Sequence, residues 1–254
     1  KGITTVVGGS SKNTLRAEFK RVLKEEETEL IHKWGIWCGS DESGKGDFFG
    51  PLVAAAFVVK KNELSELLAT GVKDSKKITD KNITEITQQL YGKYNKRIKI
   101  VVLNPAKYNQ LYAKFRQQGK KLNELLAWMH ARLILDLHKE FDFSGAVVDK
   151  FTSNRNLMAS LKDLQQIRIK NVVRAEQDPA VAAASIIARY HFLQNMQMLE
   201  NKYQMKFPKG ANYNVIKTAQ SFSQKYGKDK LKEVAKINFK TMEKIEEGYY
   251  DKRL

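Results

Sequence analysis

A single cysteine, Cys38, stands among 254 residues. One thiol excludes an internal disulfide framework and a cysteine-based zinc site. No run approaches 18 consecutive apolar residues, so no transmembrane helix is expected. Lys1-Gly2 leads into no long apolar stretch, so no signal peptide is expected, and the expected location is cytoplasmic. A P-loop is missing as well: Gly-x-x-x-x-Gly-Lys-[Ser/Thr] does not occur. There is no internal repeat and no low-complexity tract. Four histidines (His32, His130, His138, His191) show no metal-ligand spacing. Acids are the scarcer charge: 28 Asp and Glu against 45 Lys and Arg leave a formal net charge of +17. That balance makes a polyanion the first partner to test, nucleic acid ahead of an anionic membrane.

What is present suffices for a core. Apolar residues make up 42% and aromatics 10%, which excludes wholesale disorder. The length suits one large domain or two small ones, at roughly 100–200 residues per domain. Residues 1–34 read as an N-terminal appendage, with a loop at 8–13 and a helix over 14–31 whose apolar face is Leu15, Phe19, Val22 and Leu23. Residues 35–254 read as the main domain. Strands are predicted at 35–40, 52–59, 98–103, 145–149 and 167–173. The first two are joined by a glycine turn too short for a crossover, so they should be antiparallel neighbours. Helices are predicted at 62–69, 79–94, 105–140 with a break at 117–119, 155–163, 180–203, 213–226 and 228–246. The pattern is α/β: a mixed β-sheet flanked by helices, with a helical C-terminal part. Trp128, Tyr190, Phe192 and Met196 are expected in the core. His130 and His138 are read as packing or surface residues, and Cys38 as a buried thiol.

Acids at three strand ends carry most of the chemical information. Asp41-Glu42 precede the glycine turn, Asp149 ends the strand Ala146–Val148, and Glu176 follows Val172-Val173. Read singly, such an acid is more often a helix cap or turn former. Together they can converge on one point, where carboxylates repel unless cations neutralise them. Hard oxygen ligands suit Mg²⁺ or Mn²⁺, and two such ions suit phosphodiester hydrolysis. Gly44-Lys45-Gly46 beside the acid pair allows close backbone approach and adds a cation for phosphate.

The stretch Gly39-Ser40-Asp41-Glu42-Ser43-Gly44-Lys45-Gly46-Asp47-Phe48-Phe49-Gly50-Pro51-Leu52 closely resembles bacterial ribonuclease HIII, a branch of the type 2 ribonucleases H. The resemblance continues at Asp74–Asp80, Lys107–Asn109, Leu126–Ala131, Val148–Phe151, Ala182–Tyr190 and Pro208–Ala211, in the family's order. It spans about residues 35–246. It implies a ribonuclease H-like fold and an Asp-Glu-Asp-Glu site, filled here by Asp41, Glu42, Asp149 and Glu176, with Asp178 as the alternative for the fourth place. Glu at that place, and Lys45 where ribonuclease HII usually has Arg, favour the HIII branch.

The implied activity is endonucleolytic cleavage of the RNA strand of RNA–DNA hybrids with two Mg²⁺ or Mn²⁺ ions, giving 5′-phosphate and 3′-hydroxyl ends. Ser43, Gly44, Lys45 and Gly46 are the implied readers of the ribose 2′-hydroxyl, which separates RNA from DNA. Ser75, Lys76 and Lys77 are candidates for phosphate contact, and Ser185 for approach to the strand. A monomer is expected. Incision at single ribonucleotides in DNA, as by ribonuclease HII, is the alternative activity, and a hybrid-binding protein without turnover is the non-enzyme one. An integrase-type nuclease is disfavoured by the Gly-Lys-Gly turn and the absence of His/Cys zinc spacing. Two departures from the family stand out. Family members usually carry a larger N-terminal domain resembling the TATA-binding protein, so the expectation from the about 34 residues ahead of the main domain is that it is reduced or was removed, and Asn238 stands where His is expected.

Overall fold

The computed structural model describes residues 30–73, 75, 78–149 and 167–246. Five strands form one mixed sheet: β1 (Ile36–Ser43), β2 (Leu52–Lys60), β3 (Ile98–Leu103), β4 (Gly145–Asp149) and β5 (Arg168–Val172). Their order is β3-β2-β1-β4-β5. β1 pairs antiparallel with β2, and β2 with β3. β1 pairs parallel with β4, and β4 with β5. The β1–β2 hairpin follows from the short connection, as expected. The parallel pairs need longer connections: between β1 and β4 the chain runs through helices, while residues 150–166, between β4 and β5, lie outside the described residues.

The helices are α1 (Leu64–Ala69), α2 (Asp80–Tyr94), α3 (Pro105–Gln117), α4 (Leu122–His138), α5 (Pro179–Tyr203), α6 (Tyr213–Tyr226), α7 (Leu231–Val234) and α8 (Thr241–Glu246). Their starts are written in the sequence. Thr79, Asn104, Asp178 and Asn212 each accept a backbone N–H of the first turn, as capping residues do. The break between α3 and α4 falls where it was expected, at Gly119 with φ +71°.

The sheet is covered on both faces, which is why β2 is one apolar run. On one face α4 packs over Cys38, Ala54, Ala56, Ala146 and Val148. On the other, α5 lies so close to β1 that a Cβ at Gly39 would stand 2.2 Å from Val181 N. Consecutive β1 residues therefore face different helices, an arrangement that sets up the site below.

Two expectations fail. Residues 228–246 are not one helix. A short 3-10 turn (Lys228–Lys230) and α7 end at Ala235, where the chain pairs with Phe49 in an isolated β-bridge. Asn109 supplies a reason: its amide donates to Lys232 O and Ala235 O and accepts from Ile237 N. Trp128 is 39% exposed and Tyr190 only half-buried, so neither is a core residue, although Phe192 and Met196 are. The helix expected at 155–163 lies outside the described residues. So does the one at 14–31 but for residues 30 and 31, which are not helical. Among the described residues no helix is long and apolar enough to cross a membrane.

Candidate active site

Asp41, Glu42, Asp149 and Glu176 line one cleft of about 420 Å³, together with the turn of residues 43–47. Ser75, Ser185, Arg189 and Lys209 complete its polar walls. The cleft thus collects the four acids, Ser43, Gly44, Lys45, Gly46, Ser75 and Ser185, but not the alternative Asp178, while Lys76 and Lys77 lie outside the described residues.

Strand alternation separates the neighbouring acids. Asp41 faces α5, where Ser185 hydrogen-bonds its carboxylate; Oδ1 also accepts Glu42 N–H at 2.8 Å. Burial pushes Asp41 up to about 7, the Glu42 charge adds to this, and Asp149 contributes less. Glu42 faces α4. Its Oε2 lies 3.1 Å from His130 Nε2, and its Oε1 lies 3.4 Å from Lys45 Nζ. Burial opposes its ionisation, but His130 and Lys45 outweigh burial and hold the carboxyl below the usual range.

His130 is itself fixed. It is fully buried, with Nδ1 2.6 Å from Ser40 Oγ. Ser40 donates its hydroxyl hydrogen to Ala55 O at 2.8 Å. A hydroxyl has one hydrogen, so Ser40 accepts from His130 Nδ1–H, which leaves Nε2 to share a proton with Glu42.

Asp149 ends β4 beside β1, and its Oδ1 accepts Ala175 N–H at 3.2 Å. Glu176 sits on a one-turn 3-10 helix, Ala175–Gln177, entered through Arg174 in the left-handed region at φ 58°. Asp178 is used differently. It is buried, and its Oδ1 accepts Ala180 N–H, Val181 N–H and Trp37 Nε1–H. It caps α5 and does not line the cleft.

The donor set consists of hard carboxylate oxygens, and the raised Asp41 marks buried charge that a cation would relieve. Mg²⁺ or Mn²⁺ fits such a set. Among the described residues, as the side chains stand, no three His, Cys, Asp or Glu groups are close enough to hold an ion between them.

A family model described as Ribonuclease HII matches residues 38–242. The ribonuclease HIII of Protochlamydia amoebophila is 40% identical over 208 residues, which is 82% of this chain and 67% of that protein. That of Chlamydia pneumoniae is 40% identical over 216 residues, 83% of this chain and 70% of its own. The chain belongs to the ribonuclease HIII family. It is thus an endoribonuclease and a hydrolase by family. The crystal structure of Bst-RNase HIII in complex with Mn²⁺ aligns with a TM-score of 0.75 at 30% identity, over 84% of this chain and 69% of that one. The fold is accordingly ribonuclease H-like.

Three residues at this ribonuclease HIII site have no role assigned from sequence: His130, fully buried against Glu42, and Arg189 and Lys209, which line the cleft. His130, expected as a packing or surface residue, is buried with Nε2 3.1 Å from Glu42 Oε2. Its signal was its place in Leu126–Ala131, a stretch already matched to the family. Arg189 donates to Ser75 O and to Asp80 Oδ1, and Lys209 Nζ lies 3.2 Å from Asp80 Oδ2. Burial opposes ionisation of Asp80, but these two cations outweigh it and hold the carboxyl below its usual range. Both cations lay in matched stretches without an assigned role. Ser75 is buried, not a solvated turn residue, and its Oγ is 2.7 Å from Ser185 Oγ.

Proposed function

We propose that this cleft hydrolyses the RNA strand of RNA–DNA hybrids, with Asp41, Glu42, Asp149 and Glu176 holding two divalent cations. The observation that carries this reading is the meeting of four acids from three separate stretches beside a Gly-Lys-Gly turn, in a chain of net charge +17. When bound, Mg²⁺ or Mn²⁺ supplies Lewis-acid stabilisation of charge on the phosphate and leaving oxygens.

The chain's own residues do the rest. Gly44 and Gly46 present backbone at the cleft mouth, where Gly46 has open space around its Cα. A backbone this bare reaches a ribose edge that a side chain would block. Lys45, its side chain 38% exposed and its Nζ 3.4 Å from Glu42 Oε1, brings a cation to where a phosphate would enter. Ser75, Ser185, Arg189 and Lys209 take the backbone of the strand, and Asp80 holds the two cations in place. His130 keeps Glu42 ionised and aimed. In the net reaction the P–O3′ bond breaks and the oxygen of water joins phosphorus, leaving 5′-phosphate and 3′-hydroxyl ends.

The test uses two labelled substrates with Mg²⁺: an RNA–DNA hybrid, and a DNA duplex holding one ribonucleotide. Asp41→Asn protein runs beside the wild type. Hybrid cleavage that the substitution abolishes supports the reading. Cleavage only at the single ribonucleotide moves the substrate to the ribonuclease HII type. Salt-sensitive hybrid binding without cleavage in Mg²⁺ or Mn²⁺ leaves a binding protein.

A further inference from the structure

Lys236 is fully buried, alone in this among the lysines and arginines of the described residues. A buried ammonium needs acceptors in place of its lost water. Three are supplied. Nζ donates to Gly50 O at 2.7 Å, and to Phe49 O and Pro51 O at 3.4 Å each. An ammonium has three hydrogens, so donors and acceptors match in number. Tyr108 and Phe239 present ring faces 5.9 and 6.0 Å from Nζ.

Three consecutive carbonyls on one centre repel each other, and a cation between them offsets that repulsion. Gly50, at φ +82°, turns the chain where the three converge. These carbonyls belong to the return leg of the Gly44–Gly46 turn, and the two legs touch. Gly44 has φ +90°, and a Cβ there would stand 2.2 Å from Pro51 O. The third carbonyl held by Lys236 is therefore the surface on which Gly44 rests.

Further bonds tie the same parts together. Lys236 N donates to Phe48 O at 2.8 Å, Gly50 N to Val234 O at 2.9 Å, and Phe48 N to Gly210 O at 2.9 Å. Gly210 N in turn donates to Asp47 Oδ1 at 2.6 Å. From the outer side, Asn109 grips the segment carrying Lys236 through three hydrogen bonds. A simple fill of this space would be an apolar side chain, which would leave the three carbonyls unpaired.

We propose that Lys236 is a positioning residue for Gly44-Lys45-Gly46: it gathers the carbonyls of residues 49–51 and so sets where the turn meets the ribose. This deepens the hybrid reading above and rests on it.

The experiment compares wild type and Lys236→Met in binding a fluorescent RNA–DNA hybrid and the same-sequence DNA duplex. Ca²⁺ replaces the catalytic ion so that nothing is cleaved. The expected result is a preference for hybrid over DNA reduced about tenfold or more, as a displaced contact would give. Mn²⁺ binding without nucleic acid, read by calorimetry, should stay within about twofold, because no carboxylate of the cleft is touched. A folded Lys236→Met protein that keeps the wild-type preference, losing only melting temperature, overturns the positioning role. A wild type that binds hybrid no better than DNA overturns the hybrid reading itself, and the role with it. Should Lys236→Met fail to fold, Asn109→Ala decides the matter. It removes the three hydrogen bonds that place the segment carrying Lys236, so that Nζ shifts against the three carbonyls, and a preference within error of wild type overturns the proposal.

Discussion

Two carboxylates in this molecule live at opposite extremes. Glu233, on α7, accepts from Lys230 Nζ at 2.7 Å, Tyr203 hydroxyl at 2.6 Å and Lys202 Nζ at 3.2 Å. Those donors, Lys230 first, hold its pKa down to about 2. Asp41 is pushed up to about 7 by burial and by the charges of Glu42 and Asp149. In a chain so rich in lysine, an acid beside a cation is the ordinary state. An acid placed among acids costs stability, and such a cost is typical of a site kept for function. Glu42 stands between the two extremes: burial opposes its ionisation, but His130 and Lys45 lie against its carboxylate and hold it below the usual range.

The comparison breaks most decisively at Asp41. Asp41→Asn should lower hybrid cleavage by about 10³-fold or more if Asp41 is the metal ligand proposed above. The same substitution should raise the melting temperature of the metal-free protein by a few degrees, at about 2–4 °C per kcal/mol for a chain of this size. A melting temperature that falls instead would show that Asp41 is not a strained acid.

His130→Ala should lower Mg²⁺-dependent cleavage by about 10–100-fold, the usual range for a residue that orients a ligand. Calorimetric Mn²⁺ affinity should fall with it, and His130→Gln should restore part of both. Unchanged metal affinity would mean that β1 alone aims Glu42.

Glu233→Gln makes the converse prediction. Cleavage should stay within about twofold, and melting should drop by about 2–4 °C if the network is worth near 1 kcal/mol. The smallest effect is in acid. The folded pKa of Glu233 lies below its unfolded value of 4.5, so its contribution is complete above that value and is lost as pH falls toward about 2. Melting curves of wild type and Glu233→Gln should therefore converge between pH 4.5 and 2. Curves that stay parallel would remove the charge network from the account.

Much of this was legible in the residues. Caps at Thr79, Asn104, Asp178 and Asn212, apolar runs and the Gly119 break placed most of the described elements within a residue or two. The four acids, the glycine turn, Ser75 and Ser185 are legible as candidates in the motifs, and the cleft collects them. The failures share a cause. A helix over 228–246 was reasonable locally, but Asn109 and Phe49, far away in sequence, pull the chain out of it. Trp128 on α4 looked like core because aromatics usually are, and only the packing of the helix shows which side is covered.

Local pattern, which depends on neighbours a few residues apart, was enough to determine the strands and most helices, while the resemblance of several motifs in one order pointed to the family and to the candidate acids. Tertiary structure alone decided which acid serves as a cap and which lines the cleft, as Asp178 and Glu176 show. It also decided what charge each acid meets. His130 lies 88 residues from Glu42, and Lys236 lies 186 from Gly50. Hydrogen bonds and burial act through space, and no window along the chain contains both ends of such a contact.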